Sequence, residues 1–254
     1  NKHIKRGIMQ HLEVMCGSYD DCLEAFLNGA KSIILASDLS VGGLTPSLAT
    51  LMLVKRDMDI PVYCMVRPRP AGFNYQGSNI ESMFVDAQIF LDNEADGIVF
   101  GFLDEEHQIN QELTMQMVDL IHSYNKDAIF NRAIDVVTDL EDGITTLIKC
   151  GVDRVISSGG SKNALLGIDK LTELVNQFQD KIIITPTGGI NVDNAREIIN
   201  HIKVPMINAM CSKIAVDQTT SNKTISFDYL QTPNGYMQVD ANSVQQLVSI
   251  LNEN

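Results

Sequence analysis

Glu94-Ala95-Asp96-Gly97-Ile98-Val99-Phe100-Gly101-Phe102 is the stretch that decides the fold. Its first glycine ends a helix and lets the chain turn at once into an extended run. The run that follows is apolar, without polar alternation, which is typical of a strand buried on both faces of a parallel sheet. The stretch therefore predicts a helix, a tight turn and a buried strand over residues 97–102.

The same phrase recurs along the chain, as Asn28-Gly29-Ala30 and as Cys150-Gly151-Val152-Asp153. Apolar runs that alternate with amphipathic helical stretches predict eight strands, over residues 12–15, 32–36, 62–67, 97–102, 128–132, 154–157, 182–185 and 205–210. Eight consecutive strand–helix units favour a (βα)8 TIM barrel, and 254 residues is an ordinary length for one. A doubly wound open sheet is the alternative. In a barrel, the site is expected at the C-terminal ends of the strands.

The pattern predicts one domain. Residues 1–11 are assigned to an N-terminal arm and residues 12–254 to a single barrel. Residues 216–240 are rich in Thr, Ser, Asn and Gln and predict a long irregular loop after the eighth strand. Ordered loops of that length often act as lids, although a mobile surface excursion is an equal alternative.

Composition excludes several classes of partner. A formal charge of −13 disfavours nucleic acid, because a phosphate backbone would be repelled over a long range. No run of about 18 apolar residues is present, so we expect no membrane span. The polar first ten residues lack the apolar core of a secretory signal. The five cysteines are odd in number and form no Cys-x-x-Cys motif, which fits reduced thiols in the cytoplasm.

Several phrases resemble the CutC family, which is named for copper homeostasis. They are Gly42-Gly43-Leu44-Thr45-Pro46-Ser47, Met65-Val66-Arg67-Pro68-Arg69, Asn131-Arg132-Ala133-Ile134-Asp135, Ala95 to Gly101, Ser157-Ser158-Gly159 and Gly188-Gly189-Ile190. The resemblance covers residues 12–251 in the same order. It implies a (βα)8 barrel and a role in copper homeostasis, with copper binding as an expectation.

The chain departs from the family pattern at residues that carry chemistry. Where the family has Arg-Ile-Glu-Leu-Cys on strand two, residues 32–36 read Ser-Ile-Ile-Leu-Ala, so the acid and the thiol are absent. Family histidines align with Asn131 and Asn208, and a family cysteine aligns with Met15. Losing two imidazoles and a carboxylate removes groups that transfer protons near neutral pH and ligate metals. The resemblance thus leaves open whether the chain is an enzyme.

The polar residues that the family pattern retains, together with Asn131, are the candidates for the pocket: Glu13, Arg67, Asn131, Arg132 and Asp135. An acid–base role would fall to one of the two carboxylates, each held ionised by an arginine. The guanidinium of Arg67 is expected to bind a carboxylate or phosphate ligand, or an internal partner such as Asp104 or Asp135.

Sulfur atoms carry the copper hypothesis. Met15 and Cys16 on strand one would neighbour Met210 and Cys211 on strand eight, because a closed barrel pairs its first and last strands. Thioethers and thiolates are soft ligands that suit Cu(I). The alternative is that these side chains fill the core, which is the more frequent role of buried Met and free Cys.

A second hypothesis is an enzyme or binding protein for a small phosphorylated or carboxylated metabolite. Gly188 and Gly189 follow strand seven, where many barrels bind phosphate through backbone N–H groups. The alternative is that the glycines only let the loop turn. A third possibility is a non-catalytic scaffold, including a homo-oligomer, although nothing in the sequence locates an interface.

Overall fold

The computed structural model describes residues 10–228 and 234–253. Eight parallel strands form its central sheet: β1 His11–Cys16, β2 Ser32–Leu35, β3 Val62–Met65, β4 Gly97–Phe100, β5 Asp127–Phe130, β6 Arg154–Ser157, β7 Ile183–Pro186 and β8 Met206–Ala209. Each strand pairs with its neighbour in chain order, and β1 also pairs with β8, where Glu13 lies opposite Asn208. β7 and β8 lie side by side, with no hydrogen-bonded ladder between them in the described residues. The sheet is therefore a nearly closed (βα)8 barrel, as predicted.

Eight helices follow the strands: α1 Tyr19–Leu27, α2 Leu48–Asp57, α3 Ser78–Asp92, α4 Gln111–Ser123, α5 Leu140–Lys149, α6 Ile168–Phe178, α7 Ala195–His201 and α8 Ala241–Asn252. Several begin at a side chain that caps the free N–H groups of the first turn, as Ser18 does for α1 and Asp139 for α5. Within residues 10–228 and 234–253, no helix has the length and apolar character needed to cross a membrane.

The strands separate two cores because successive side chains point to opposite faces. Val14, Cys16 and Ile33 belong to the outer core, which packs against the helices. The alternate residues form an inner core inside the barrel: Met15, Ile34, Ala36, Leu39, Met65, Val99, Ile129 and Ile156. Consecutive residues of one strand therefore belong to different environments.

The prediction of an irregular loop over residues 216–240 was wrong at both of its ends. Ser212–Val216 (β9) and Gly235–Val239 (β10) pair antiparallel as a hairpin, with Ile214 opposite Met237. β9 reads Ser-Lys-Ile-Ala-Val and is mostly exposed, so it carries no alternation of polar and apolar residues that would predict a strand. Residues 229–233 of the predicted lid lie outside the described residues.

The predicted boundary between the N-terminal arm and the barrel, at residue 11, also needs correction. Residues 1–9 lie outside the described residues, whereas Gln10 donates from Nε2 to the carbonyl of Val204 at 3.2 Å and His11 begins β1. The last two residues assigned to the arm are thus part of the barrel. Five predicted strands ran too far at their C-terminal ends, because apolar or buried residues such as Val66 and Phe102 continue into the loops beyond the ladder.

Candidate functional site

Two adjoining cavities open at the C-terminal ends of the strands, where a barrel carries its chemistry. Their volumes are about 380 and 270 Å³, and they share Met15, Gly42, Arg132 and Thr187 in their walls. The larger one reaches the loop after β7 and the start of β9, and the smaller one reaches Arg67 and Asn131. We call the two together the mouth cavity.

Arg132 lines both parts of the mouth cavity from the 3-10 helix Arg132–Val136 that follows β5. Its Nε donates to Asp135 Oδ2 at 2.7 Å, and its Nη2 donates to the Ser158 hydroxyl at 2.6 Å. Its Nη1 has no acceptor among the described residues. A Cβ atom on Gly188 would lie 3.3 Å from that Nη1, so the glycine leaves the free end of the guanidinium uncovered.

Asp135 is fully engaged by the turn after β6. Its carboxylate accepts from the backbone N–H groups of Ser158 at 3.0 Å and Gly160 at 3.1 Å, and from the Ser157 hydroxyl at 2.6 Å. Its side chain is 6% exposed. A carboxylate whose oxygens accept this many hydrogen bonds anchors the turn, because its lone pairs are already engaged. The predicted arginine partner is present, and it is Arg132.

The turn after β7 differs, because its donors are free. Gly188 and Gly189 have φ of +94° and +67° and line the larger part of the mouth cavity with Ile190. Their N–H groups and that of Ile190 have no acceptor among the described residues. An anion at this turn would meet unpaired backbone donors beside Arg132 Nη1.

Asn131 lies where the smaller part of the mouth cavity meets β5. Its Oδ1 accepts from the N–H of Ala133 at 2.9 Å, which leaves Nδ2 as a donor without an acceptor in the described chain. A Cβ on Gly101 would clash with that oxygen, so the absence of a side chain at residue 101 leaves room for the Asn131 side chain.

Arg67 is buried and binds carbonyl groups, not the internal aspartate that the sequence suggested. Its Nη1 donates to the carbonyls of Val41 at 2.7 Å and Gly43 at 3.1 Å, and its Nη2 to that of Ala71 at 2.8 Å. Its Nε is buried without an acceptor. No carboxylate of the described residues pairs with this guanidinium, so its charge is uncompensated at the cavity wall.

Glu13 lies inside the barrel, outside the mouth cavity. Its two carboxylate oxygens accept from Arg154 Nη1 and Nη2, each at 2.8 Å, and both side chains are almost fully buried. Burial alone would lower the pKa of Arg154, but the charge and hydrogen bonds of Glu13 outweigh it and raise the pKa. The sequence analysis missed Arg154. The sequence feature that could have indicated Arg154 is that it is the single charged residue at the start of an apolar strand.

The four sulfur residues proposed for copper do not share one environment. Met15 lies in the inner core with Met210 packed against it, whereas Cys16 and Cys211 belong to the outer core. Cys211 does reach the wall of the mouth cavity. The four sulfurs therefore do not fit a single copper site. Among the described residues, no group of three or more His, Cys, Asp and Glu side chains is arranged to hold a metal ion.

The thiols are also held protonated. Burial raises the pKa of Cys211 to about 12 and raises that of Cys16 well above its usual range. A thiol must lose its proton to become a strong metal ligand, so this environment disfavours both cysteines as ligands at neutral pH. The soft atoms that line the mouth cavity together are the thioethers of Met15, Met65 and Met210.

A family model described as "CutC family" matches residues 10–213. The chain belongs to the CutC family. A CutC family protein from Treponema denticola is 40% identical over 209 residues, which is 82% of this chain and 84% of the relative. The human copper homeostasis protein cutC homolog is 37% identical over 188 residues, 74% and 68% of the two chains. The crystal structure of CutC from Streptococcus agalactiae superposes with a TM-score of 0.74 at 24% identity, covering 79% of this chain and 98% of that one, and so shows the same fold.

Positions 15 and 36, where the resemblance stated above implies cysteine, both lie near Gly43. A Cβ on Gly43 would lie 3.1 Å from the Cβ of Ala36 and 3.8 Å from the sulfur of Met15. Both positions belong to the inner core beside Met65.

Proposed function

We propose that the chain binds a small phosphorylated or carboxylated molecule in the mouth cavity. The observation that carries this proposal is the character of the cavity's unpaired polar groups. The unpaired groups described above are Arg132 Nη1, Asn131 Nδ2 and the N–H groups of residues 188–190, and all of these are donors. Arg67 lines the same cavity with a guanidinium that pairs with no carboxylate of the described residues. A buried guanidinium is rarely left without a counter-charge, and an anionic ligand would supply one.

Inorganic phosphate is the simplest probe of this proposal. Isothermal titration should show binding to the wild type, and Arg132→Leu should weaken it by about tenfold or more, since a hydrogen bond to a charged group contributes about 1.5–3 kcal/mol. Arg196→Leu is the matched control, because Arg196 lies on the surface and pairs with Glu253. Arg67 is a poorer probe, because its loss would also release the loops that it binds.

Two results would reject the anion proposal: a wild type that binds no phosphate at millimolar concentration, or an Arg132→Leu variant that binds it as tightly as the wild type. Titrating acetate beside phosphate distinguishes a carboxylate ligand from a phosphate ligand. Circular dichroism on each variant confirms that it is folded at the temperature of the titration.

A role in copper homeostasis is the second candidate, because that role is named for the human and mouse relatives. The observation that favours it is the set of three thioethers at the mouth cavity, of which Met15 and Met210 were predicted from the sequence. Thioethers are soft ligands for Cu(I). Cys16 and Cys211 are not included, for the reasons of placement and protonation given above.

An anaerobic Cu(I) titration against a competing chelator tests the copper candidate. Stoichiometric binding by the wild type should be lost in the double variant Met15→Leu, Met210→Leu. Met115→Leu is the control, since Met115 is 48% exposed on α4. Binding that is indifferent to Met15 and Met210 would reject this site.

We also propose a cytoplasmic location. The five cysteines are free and buried, which suits a reducing compartment. Fractionation of the producing cells would test it, and recovery of the protein outside the cytoplasm would contradict it.

A further inference from the structure

A continuous chain of buried hydrogen bonds runs from the middle of the barrel to the wall of the mouth cavity. Arg154 donates to Glu13 through both terminal nitrogens, and Asn208 Nδ2 donates to Glu13 Oε1 at 3.1 Å. The hydroxyl of Thr187 donates to Asn208 Oδ1 at 2.8 Å. All four residues are at most 5% exposed. The chain ends at Thr187, which lines both parts of the mouth cavity.

The chemistry of its members fixes the direction of every bond in this chain. A guanidinium can only donate and a carboxylate can only accept. Glu13 already accepts from Arg154 and from the Ser32 hydroxyl at 2.9 Å, so the amide of Asn208 must present its nitrogen to Glu13. The amide oxygen then faces Thr187, whose single hydroxyl proton is used there. The oxygen of Thr187 keeps only its capacity to accept.

Thr187 thus differs from the unpaired groups described at the mouth. The unpaired groups around it are donors, and they suit the oxygens of an anion. Thr187 directly precedes Gly188, so its hydroxyl lies one residue from the free N–H groups of the β7 turn. A ligand whose anionic group lies at that turn would place its next atoms beside an acceptor.

We propose that Thr187 is a specificity-determining residue that selects an anion carrying a hydroxyl group close to its charge, such as a polyol or sugar phosphate. The inference rests on the proposed binding of an anion and names the class of ligand. The ion pair of Glu13 and Arg154 acts as a positioning element. It holds the Asn208 amide in the orientation in which its oxygen accepts the hydrogen bond from the Thr187 hydroxyl.

The test compares two ligands of similar size, glycerol 3-phosphate and propyl phosphate, with inorganic phosphate as the reference. Wild-type protein should bind glycerol 3-phosphate about three- to tenfold more tightly than propyl phosphate, the ratio that one neutral hydrogen bond supplies. Thr187→Val should bring the ratio to about one by weakening the binding of glycerol 3-phosphate. Thr187→Ser, which keeps the hydroxyl, should retain the ratio.

The outcomes separate the two proposals. If inorganic phosphate binds but the wild type does not distinguish the two organic phosphates, the role of Thr187 is overturned and the anion site stands. An unchanged ratio in Thr187→Val has the same meaning. If no phosphate of any kind binds, both proposals fail. Thr187→Ser covers the case in which the valine variant does not fold, because a Ser variant that loses the ratio also contradicts the inference.

Discussion

The carboxylate of Asp135 accepts a hydrogen bond from the backbone N–H of Gly160 at 3.1 Å, so the turn after β6 binds an anion that belongs to the chain itself. The turn after β7 also contains a Gly-Gly pair, but its N–H groups have no acceptor in the part of the chain that the structure describes. The two turns lie side by side in the barrel, and Arg132 reaches both through Ser158 and the space beside Gly188. The difference between them decides which one can receive a ligand.

Replacing Asp135 should therefore cost stability. We expect Asp135→Ala to lower the free energy of unfolding by about 2 kcal/mol or more, because several donors lose a charged acceptor in a mostly buried place. Urea denaturation measures the effect. Asp119→Asn is the control, since Asp119 is exposed on α4 and should change the value by less than about 0.5 kcal/mol. An Asp135→Ala variant as stable as the wild type would show that Asp135 does not anchor the turn.

Breaking the ion pair of Glu13 and Arg154 should be more costly than removing both partners. Arg154→Met leaves an uncompensated buried carboxylate, and we expect a loss of about 3–5 kcal/mol. The double variant Glu13→Leu, Arg154→Met removes the charge as well and should lose less than the single variant. Equilibrium unfolding of the single and double variants gives the coupling energy. Additive losses would mean that the two charges do not depend on each other.

The ionised carboxylate of Asp96 should make a pH-dependent contribution to the stability of the protein. Burial alone would raise the pKa of this carboxyl, but hydrogen bonds from Lys55 Nζ at 2.8 Å and from the Val62 N–H at 2.9 Å lower it below its usual range. A lowered folded-state pKa gives stability that is fully present above the unfolded value, about 4, and is lost as the pH falls through the folded value.

Asp96→Asn should thus destabilise the protein at pH 7 by about 1 kcal/mol or less, since the pair is partly exposed, and the difference should shrink below about pH 4. Thermal unfolding between pH 2.5 and 7 measures it. Asp180→Asn, on an exposed residue, is the control. A difference that grows towards acid pH would contradict the assigned sign.

Two substitutions should create a stronger copper site at the mouth. Met15→Cys with Ala36→Cys would place two thiols beside the thioether of Met65. Cu(I) would have to displace both thiol protons, and the two thiolates would then bind it more strongly than thioethers alone. We expect higher Cu(I) affinity than in the wild type by competitive titration. Met52→Cys with Met115→Cys adds two thiols to exposed positions on separate helices and serves as the control. Equal affinity in the two double variants would show that positions 15 and 36 do not form a site.

The periodicity of the sequence was sufficient for the barrel. Apolar runs such as Gly97 to Phe100 carry no alternation because both faces of the strand are buried, and a glycine marks the turn before them. The predicted strands were too long at their C-terminal ends wherever buried residues continue beyond the last hydrogen bond between neighbouring strands. Periodicity failed at the β9–β10 hairpin, whose residues are too polar and too exposed to produce a strong pattern.

The retained polar residues could be found from the sequence, but their roles could not. Glu13, Arg67 and Asp135 were expected around one pocket, and the structure engages each of them in internal contacts. Arg154 binds Glu13 although the two residues are 141 positions apart in the chain, so no local sequence pattern predicts this pair.

What the sequence by itself determined is the fold, the family and the end of the barrel that carries the site, because periodicity and short motifs are local properties of the chain. Tertiary structure alone decided which groups at that end are free. The capacity of a side chain to bind a ligand depends on whether the protein has already used its donors and acceptors, and that is settled by contacts between distant strands. Asp135 accepts the hydrogen bonds of the turn after β6, whereas the N–H groups of Gly188 and Gly189 in the turn after β7 have no acceptor among the described residues.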